Sequence, residues 1–273
     1  MQSVTTINDI QSFQKAIWLF YEQYGRTFAW RQTNDPYHIL VSEIMLQQTQ
    51  TYRVAPKYEV FITAFADVYA LAEADLRDVL GLWQGLGYNR RGKALWENAQ
   101  RIVNEYNGQL PNDPAVLESF AHIGPNTARS ICAFAFNRPV VFIETNIRTV
   151  YLHAFFKGQE GITDKQLMPI IQKTLDHDNP REWYYALMDY GVHLKKQLPN
   201  PSRKSAHHKK QSKFEGSDRQ IRGAIIKKVV AAGALAKHDL FAQLGTEVDR
   251  YQNILDALHK EGMVSMLHDV VSV

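Results

Sequence analysis

Apolar residues recur along this chain at helical spacing, and the recurrence is interrupted by glycine, proline and capping side chains. From Asn8 to Tyr24, Ile10, Phe13, Ile17, Phe20, Tyr21 and Tyr24 fall on one face and Gly25 closes the run, which predicts an amphipathic helix. After a polar and aromatic loop, Arg26 to Asn34, Asp35 supplies a cap and Pro36 a first position for a helix through Gln48. Its inward stripe is Tyr37, Leu40, Val41 and Ile44. Further helices are predicted from Tyr52 to Phe65, Asp75 to Leu82, from Tyr88 onward, Asp164 to Leu175 and Pro180 to Lys196. Gly81, Gly85 and Gly87 cluster around Trp83, a spacing that suits close backbone approach to a ligand or plain helix punctuation.

The middle of the chain, Phe120 to Val150, departs from simple amphipathic repetition. A short helix from Asp113 to Phe120 precedes a tight turn at Gly124 and Pro125, and an apolar helix follows from Thr127 to Phe136. That order leaves backbone N–H groups around Gly124 to Thr127 outside any helical ladder, where they suit a phosphate. Asn137, Arg138 and Pro139 then stop the helix. Val140 to Ile143 deliver Glu144 at the end of an apolar run, ahead of a helix from Asn146 to Phe156. Glu43 sits at the margin of the earlier stripe, a second carboxylate half inside an apolar surface, where the charged form is disfavoured. Two carboxylates in unlike surroundings can divide acid and electrostatic work within one reaction.

Composition narrows the class. With 273 residues, 45% hydrophobic and 22% charged, the chain has the makeup of a globular protein of one large or two modest domains. No apolar run approaches the roughly 20 residues of a membrane span and no signal-peptide pattern is seen, so an intracellular, cytoplasmic or nucleoid-associated place is expected. The one cysteine, Cys132, excludes an internal disulfide and any four-cysteine iron-sulfur site. Net charge is only +3, but its distribution is uneven. Arg90, Arg91 and Lys93 open a helix, where cations oppose the dipole, and a phosphate partner is one reason to place them so. Between Lys195 and Lys213 seven Lys or Arg occur with no acid, among prolines and serines, which reads as a basic linker over 199–216 between residues 1–198 and 217–273. His207 and His208 lack the further ligands that a metal site needs. Residues 217–273 carry helices near Asp218 to Ala231, Lys237 to Leu244 and Glu247 to Lys260, then a hairpin of Met263 to Leu267 and Val270 to Val273, a pattern that resembles a winged helix-turn-helix.

The motifs SEIMLQQTQ (Ser42 to Gln50) and LWQGLGY (Leu82 to Tyr88), with the Phe120 to Val150 stretch, resemble the helix-hairpin-helix DNA glycosylases, and among them the MutY-type adenine glycosylases, over about residues 15 to 195. The resemblance implies a mainly α fold of that class, here with the small winged-helix-like module at its C-terminal end. It implies a monofunctional DNA glycosylase of base excision repair that excises adenine from mispairs in double-stranded DNA, acting as a monomer without cofactor. By resemblance Glu43 matches the acid that protonates the base, and Glu144 stands where the family has aspartate. Asn126 replaces the lysine that would give strand cleavage, and lies near the sugar. Gln48 and Tyr88 match positions that enter the base stack. Thr49, Arg90, Arg91, His122, Gly124, Asn126 and Thr127 complete the expected DNA-binding set, with His122 at a position where glycine is usual. The linker falls where a four-cysteine iron-sulfur loop would stand and contains no cysteine, and the family's domain for reading oxidised guanine is not recognisable. Two alternatives stay open: a non-catalytic lesion- or structure-binding protein, and an enzyme of this fold that acts on another base or on the backbone.

Overall fold

A computed structural model describes residues 7–199, 205, 206, 213–245 and 247–273. Most of the linker expected at 199–216, with His207 and His208, lies outside the described residues. The chain folds as two compact units, one drawn from residues 1–39, 112–119 and 123–210 and the other from 40–111, 120–122 and 211–273.

The first unit holds α1 (Ile7–Tyr24), α7 (Pro114–Leu117), α8 (Pro125–Phe136), α9 (Thr145–Phe155), α10 (Asp164–Thr174) and α11 (Pro180–Gln197). Helix α11 packs on α9 and α1. The approach to α9 is close because Gly191 has no side chain, and a Cβ there would stand 2.4 Å from the Asn146 carbonyl oxygen. Aromatic rings fill the interior: Phe13 lies edge-on to Trp183 at 6.0 Å, and Phe134 stacks on Tyr185 at 4.5 Å. The Arg26 to Asn34 loop is tied down rather than merely polar. Asp189 accepts from the Arg26 backbone N–H and Nε at 2.7 and 2.8 Å and from both terminal nitrogens of Arg31 at 2.9 Å. Burial alone would raise the Asp189 pKa, but the hydrogen bonds and charge of Arg31, with Arg26, hold it below the usual carboxylate value.

Helix α2 (Pro36–Leu46) begins in the first unit and ends in the second, which continues with α3 (Thr51–Ala64), α4 (Val68–Glu73), α5 (Leu76–Trp83) and α6 (Arg90–Tyr106). Helix α4, six residues capped by Asp67, was invisible to the hydrophobic spacing because it completes less than two turns. Gly92 of α6 lets Trp83 lie against the helix, since a Cβ would meet the indole at 2.8 Å. The helix expected from Tyr88 starts at Arg90, because Tyr88 itself has φ 48°, outside helical space.

The same unit contains α12 (Asp218–Ala232), β1 (Ala234–Ala236), α13 (Lys237–Ala242), α14 (Val248–Lys260), β2 (Ser265–Leu267) and β3 (Val270–Ser272). The hairpin β2–β3 turns at His268 and Asp269 as the sequence suggests. A third strand, β1, pairs antiparallel with β3 in register Leu235 to Val271, giving the order β1-β3-β2. Three residues, Ala-Leu-Ala, carry no readable alternation, so β1 exists through its partner rather than through propensity. Residues 217–273 do not close a core alone. Leu80 of α5 is fully buried in one cluster with Ile225, Val229, Leu255, Leu258 and Val271, and Leu76 packs against it.

Candidate active site

Glu43 lies on α2, half-buried between the buried Ser42 and Ile44. The helix then ends, and Gln48 projects from the following turn, exposed and with φ 54°. That turn is built around Arg91. Its side chain is buried to 5% exposure, and it donates to the carbonyls of Ile44 and Met45 at 2.9 and 3.0 Å, to that of Gln47, to Thr49 Oγ1 at 3.0 Å and to the Gly87 carbonyl at 3.1 Å. One guanidinium thus fastens the end of the Glu43 helix to the loop before Tyr88. Burial lowers the Arg91 pKa to about 10, so the cation persists at neutral pH. The terminal nitrogens of Arg91 thus serve protein acceptors, backbone carbonyls and the Thr49 hydroxyl, rather than facing solvent. Arg90 remains exposed, and Thr49 is held in the turn by Arg91.

The hairpin turn is held inside the second unit by residues that spacing alone did not single out. Asn98, 2% exposed, donates to the Ala121 carbonyl and accepts from the Ala121 N–H, both at 2.9 Å, and Gln47 Nε2 donates to the His122 carbonyl at 3.0 Å. His122 adopts φ 59°, so histidine takes the left-handed conformation that the glycine position demands. It is exposed overall, yet partial burial of the imidazole, with Arg90 nearby, lowers its pKa.

In the first unit, Gly124 precedes α8 in extended conformation, and Pro125 occupies its first turn. Gly124, Pro125 and Asn126 are exposed and Thr127 half-exposed, so the start of α8 faces outward as the turn pattern suggested. Asn126 Oδ1 accepts from the Ile143 N–H at 3.4 Å, which ties the first turn of α8 to the residue before Glu144. Glu144 is half-buried and caps α9: its Oε1 accepts from the N–H groups of Asn146 and Ile147 at 2.7 and 2.8 Å, and its Oε2 from the Asn146 amide at 3.3 Å. The extra methylene of glutamate is used in curling back onto the helix. Lys195 of α11, overlooked by the sequence reading because it opens the basic segment, donates to Asn146 Oδ1 at 2.7 Å. Burial lowers the Lys195 pKa, while the Glu144 charge opposes that shift, so the two groups sense one another.

Among the described residues no three of His, Cys, Asp or Glu are grouped to hold a metal. Cys132 is buried in α8, its Sγ 3.3 Å from the Asn112 carbonyl, and burial pushes its pKa up to about 11. One such thiol does not fit a four-thiolate iron-sulfur cluster.

Residues 41–177 match the family model described as HhH-GPD superfamily base excision DNA repair protein. An adenine DNA glycosylase of Buchnera aphidicola subsp. Baizongia pistaciae is 33% identical over 185 residues, 66% of this chain and 52% of that protein. An adenine DNA glycosylase of Mycolicibacterium smegmatis is 30% identical over 224 residues, covering 76% of each chain. The chain spans about half the length of several curated relatives it matches, and less of the mammalian ones. A solved thermostable thymine-DNA glycosylase superposes with TM-score 0.61 at 22% identity, over 69% of this chain and 88% of that one, which establishes the mainly helical fold. No helix among the described residues is long and apolar enough to cross a membrane.

Proposed function

Because this chain belongs to the HhH-GPD superfamily of base excision DNA repair proteins, we propose that it is a monofunctional DNA N-glycosylase that excises a mispaired base from duplex DNA, adenine before others. The observation that carries this reading is the pairing, on one helix and its following turn, of the half-buried Glu43 with the exposed, strained Gln48, the backbone between them held at Ile44, Met45 and Gln47 by the buried Arg91. An acid and a duplex-entering amide held by one clamp suit a base that must be extruded before its bond is broken. In the proposed reaction the C1′–N bond breaks with its electron pair leaving on the base, which takes a proton from Glu43. The Glu144 carboxylate stabilises the cationic sugar and receives a proton from the water that adds to C1′. Asn126 offers the sugar an amide, which is no nucleophile, so no covalent intermediate forms and the strand stays intact.

The backbone N–H groups of Gly124, Asn126 and Thr127, at the outward-facing start of α8, would hold a phosphate, and Tyr88, Arg90 and His122 would meet the DNA. We further propose that the protein acts as a monomer and without cofactor, among nucleoid DNA, and that α12 to β3 serve as a winged-helix module. Purified protein should release adenine from A:G or A:8-oxoguanine duplexes and leave strands that break only on alkaline heating. Glu43→Gln and Glu144→Gln should each lower the single-turnover rate at least about a hundredfold. Release of no base by the wild type on these duplexes ends the proposal. One observation favours a second reading, a non-catalytic lesion binder: Glu144 Oε1 is already engaged by two backbone N–H groups. Tight lesion binding without release, unaltered by Glu43→Gln, would decide for it.

A further inference from the structure

Beside Tyr88 the second unit contains a cavity of about 390 Å³ whose lining includes neither Glu43 nor Glu144. Arg53, Arg90, Arg219 and Arg222 contribute to it, and Glu261 answers two of them, 3.7 Å from Arg90 and in direct contact with Arg222. Four guanidinium groups thus stand around one cavity. Two exposed rings, Tyr88 at 37% and Phe214 at 59%, stand in the same lining, with the buried Leu86 and Ile226 as apolar surface. Arg219 of α12 donates to the Tyr88 hydroxyl at 2.8 Å, and its guanidinium lies 5.8 Å from the ring centroid.

Gly223 adds an independent observation. It lies inside α12, where glycine weakens a helix relative to alanine, and it lines the cavity. A Cβ built there meets nothing within 4 Å. Neither packing nor backbone conformation calls for glycine at this place, and the space beside it is open to a larger side chain or to a ligand.

Flat apolar surface, stacking rings and several guanidinium groups together suit a nucleotide, base against ring and phosphate against arginine. The volume lies at the low end of the range of about 300–1,000 Å³ for ligand sites, enough for one nucleotide. Gln48 and Tyr88, both at positive φ, face the same space, which joins it to the residues proposed to enter the duplex. We propose that the cavity takes one unstacked nucleotide from the bound DNA, so that Phe214, Arg219, Arg222 and Gly223 extend the DNA-reading surface into the C-terminal residues. This rests on the DNA-binding part of the proposed function and not on base release.

The test is fluorescence anisotropy with two labelled duplexes, one fully paired and one with a single unpaired nucleotide. Gly223→Leu, which fills the space, should weaken binding to the second duplex by about tenfold while the first changes less than about twofold, in keeping with the loss of one stacked base. Gly223→Ala, which adds one methyl to the same space, should weaken binding to the second duplex less than Gly223→Leu does, and neither variant should melt below wild type. Equal weakening on both duplexes, or none on either, overturns the proposal. Saturable binding of free deoxyguanosine monophosphate to the DNA-free protein, lost in Gly223→Leu, would assign the cavity to a free nucleotide and overturn the strand assignment. A wild type that binds but excises nothing leaves this measurement valid, whereas failure to bind any duplex would sink both readings.

Discussion

Six non-glycine residues among those described carry positive φ: Gln48, Tyr88, Asn107, His122, Asn137 and His268. Asn107 and Asn137 end α6 and α8 in the left-handed conformation that asparagine tolerates, and His268 turns the β2–β3 hairpin. The other three are residues that the motifs nominate for DNA contact, and backbone strain of this kind gathers at ligand sites. His122 also makes a pH test possible. Its folded pKa lies below the unfolded value of about 6.5, so the unfolded chain binds the proton more readily. The stability that depends on neutral His122 is complete above that value and is lost as pH falls through the folded pKa. Urea midpoints should therefore drop between pH 7 and 5 more in the wild type than in His122→Asn, which keeps a residue suited to positive φ. Identical slopes would remove His122 as the cause. Arg91 gives a second prediction. Arg91→Met strands carbonyls at Ile44, Met45 and Gly87 that water cannot easily reach, and should cost about 3 kcal/mol in urea unfolding. A loss below about 1 kcal/mol would show that those carbonyls find other donors.

At the scale of elements, long helices and their caps were readable because periodicity and capping residues act within a few positions. Asp113, Asp67 and Asp75 each accept from the first turn that follows them. The sites of two carboxylates could likewise be picked from local context, Glu43 by its apolar margin and Glu144 by its apolar approach. Whether a cation such as Arg91 faces solvent or sits beneath a turn depends on partners more than 40 positions away, which no local spacing encodes. Asn98 is hidden for the same reason, its partner Ala121 being 23 positions on. The fate of residues 217–273 also turned on distant contacts. Their apolar stripes mark a separate module, yet the cluster they form includes Leu80. Leu80→Ala should cost about 3 kcal/mol and lower the melting of α12 and α14 together with α5 and α6, as followed by amide hydrogen exchange. Early loss of protection in α12 and α14 alone would show that the shared core does not couple them.

For the molecule as a whole, the +3 net charge understates the local density of cations around the 390 Å³ cavity and in the basic stretch after Lys195. Affinity for duplex DNA should therefore fall at least about tenfold between 50 and 200 mM salt, the signature of counterion release from a few phosphate contacts. An affinity flat across that range would mean that those arginines do not meet the backbone. The first unit has a further property, set by the way its chain segments interleave. Gln14 meets Thr174, Tyr21 meets Glu182 and Arg26 meets Asp189, partners about 160 positions apart. At the roughly 5–20 residues per second of protein synthesis, α1 emerges about 10–30 s before the segments that cover its aromatic face. A nascent chain thus keeps that greasy surface unsheltered until α11 has been made, which makes α1 a natural place for a chaperone to hold.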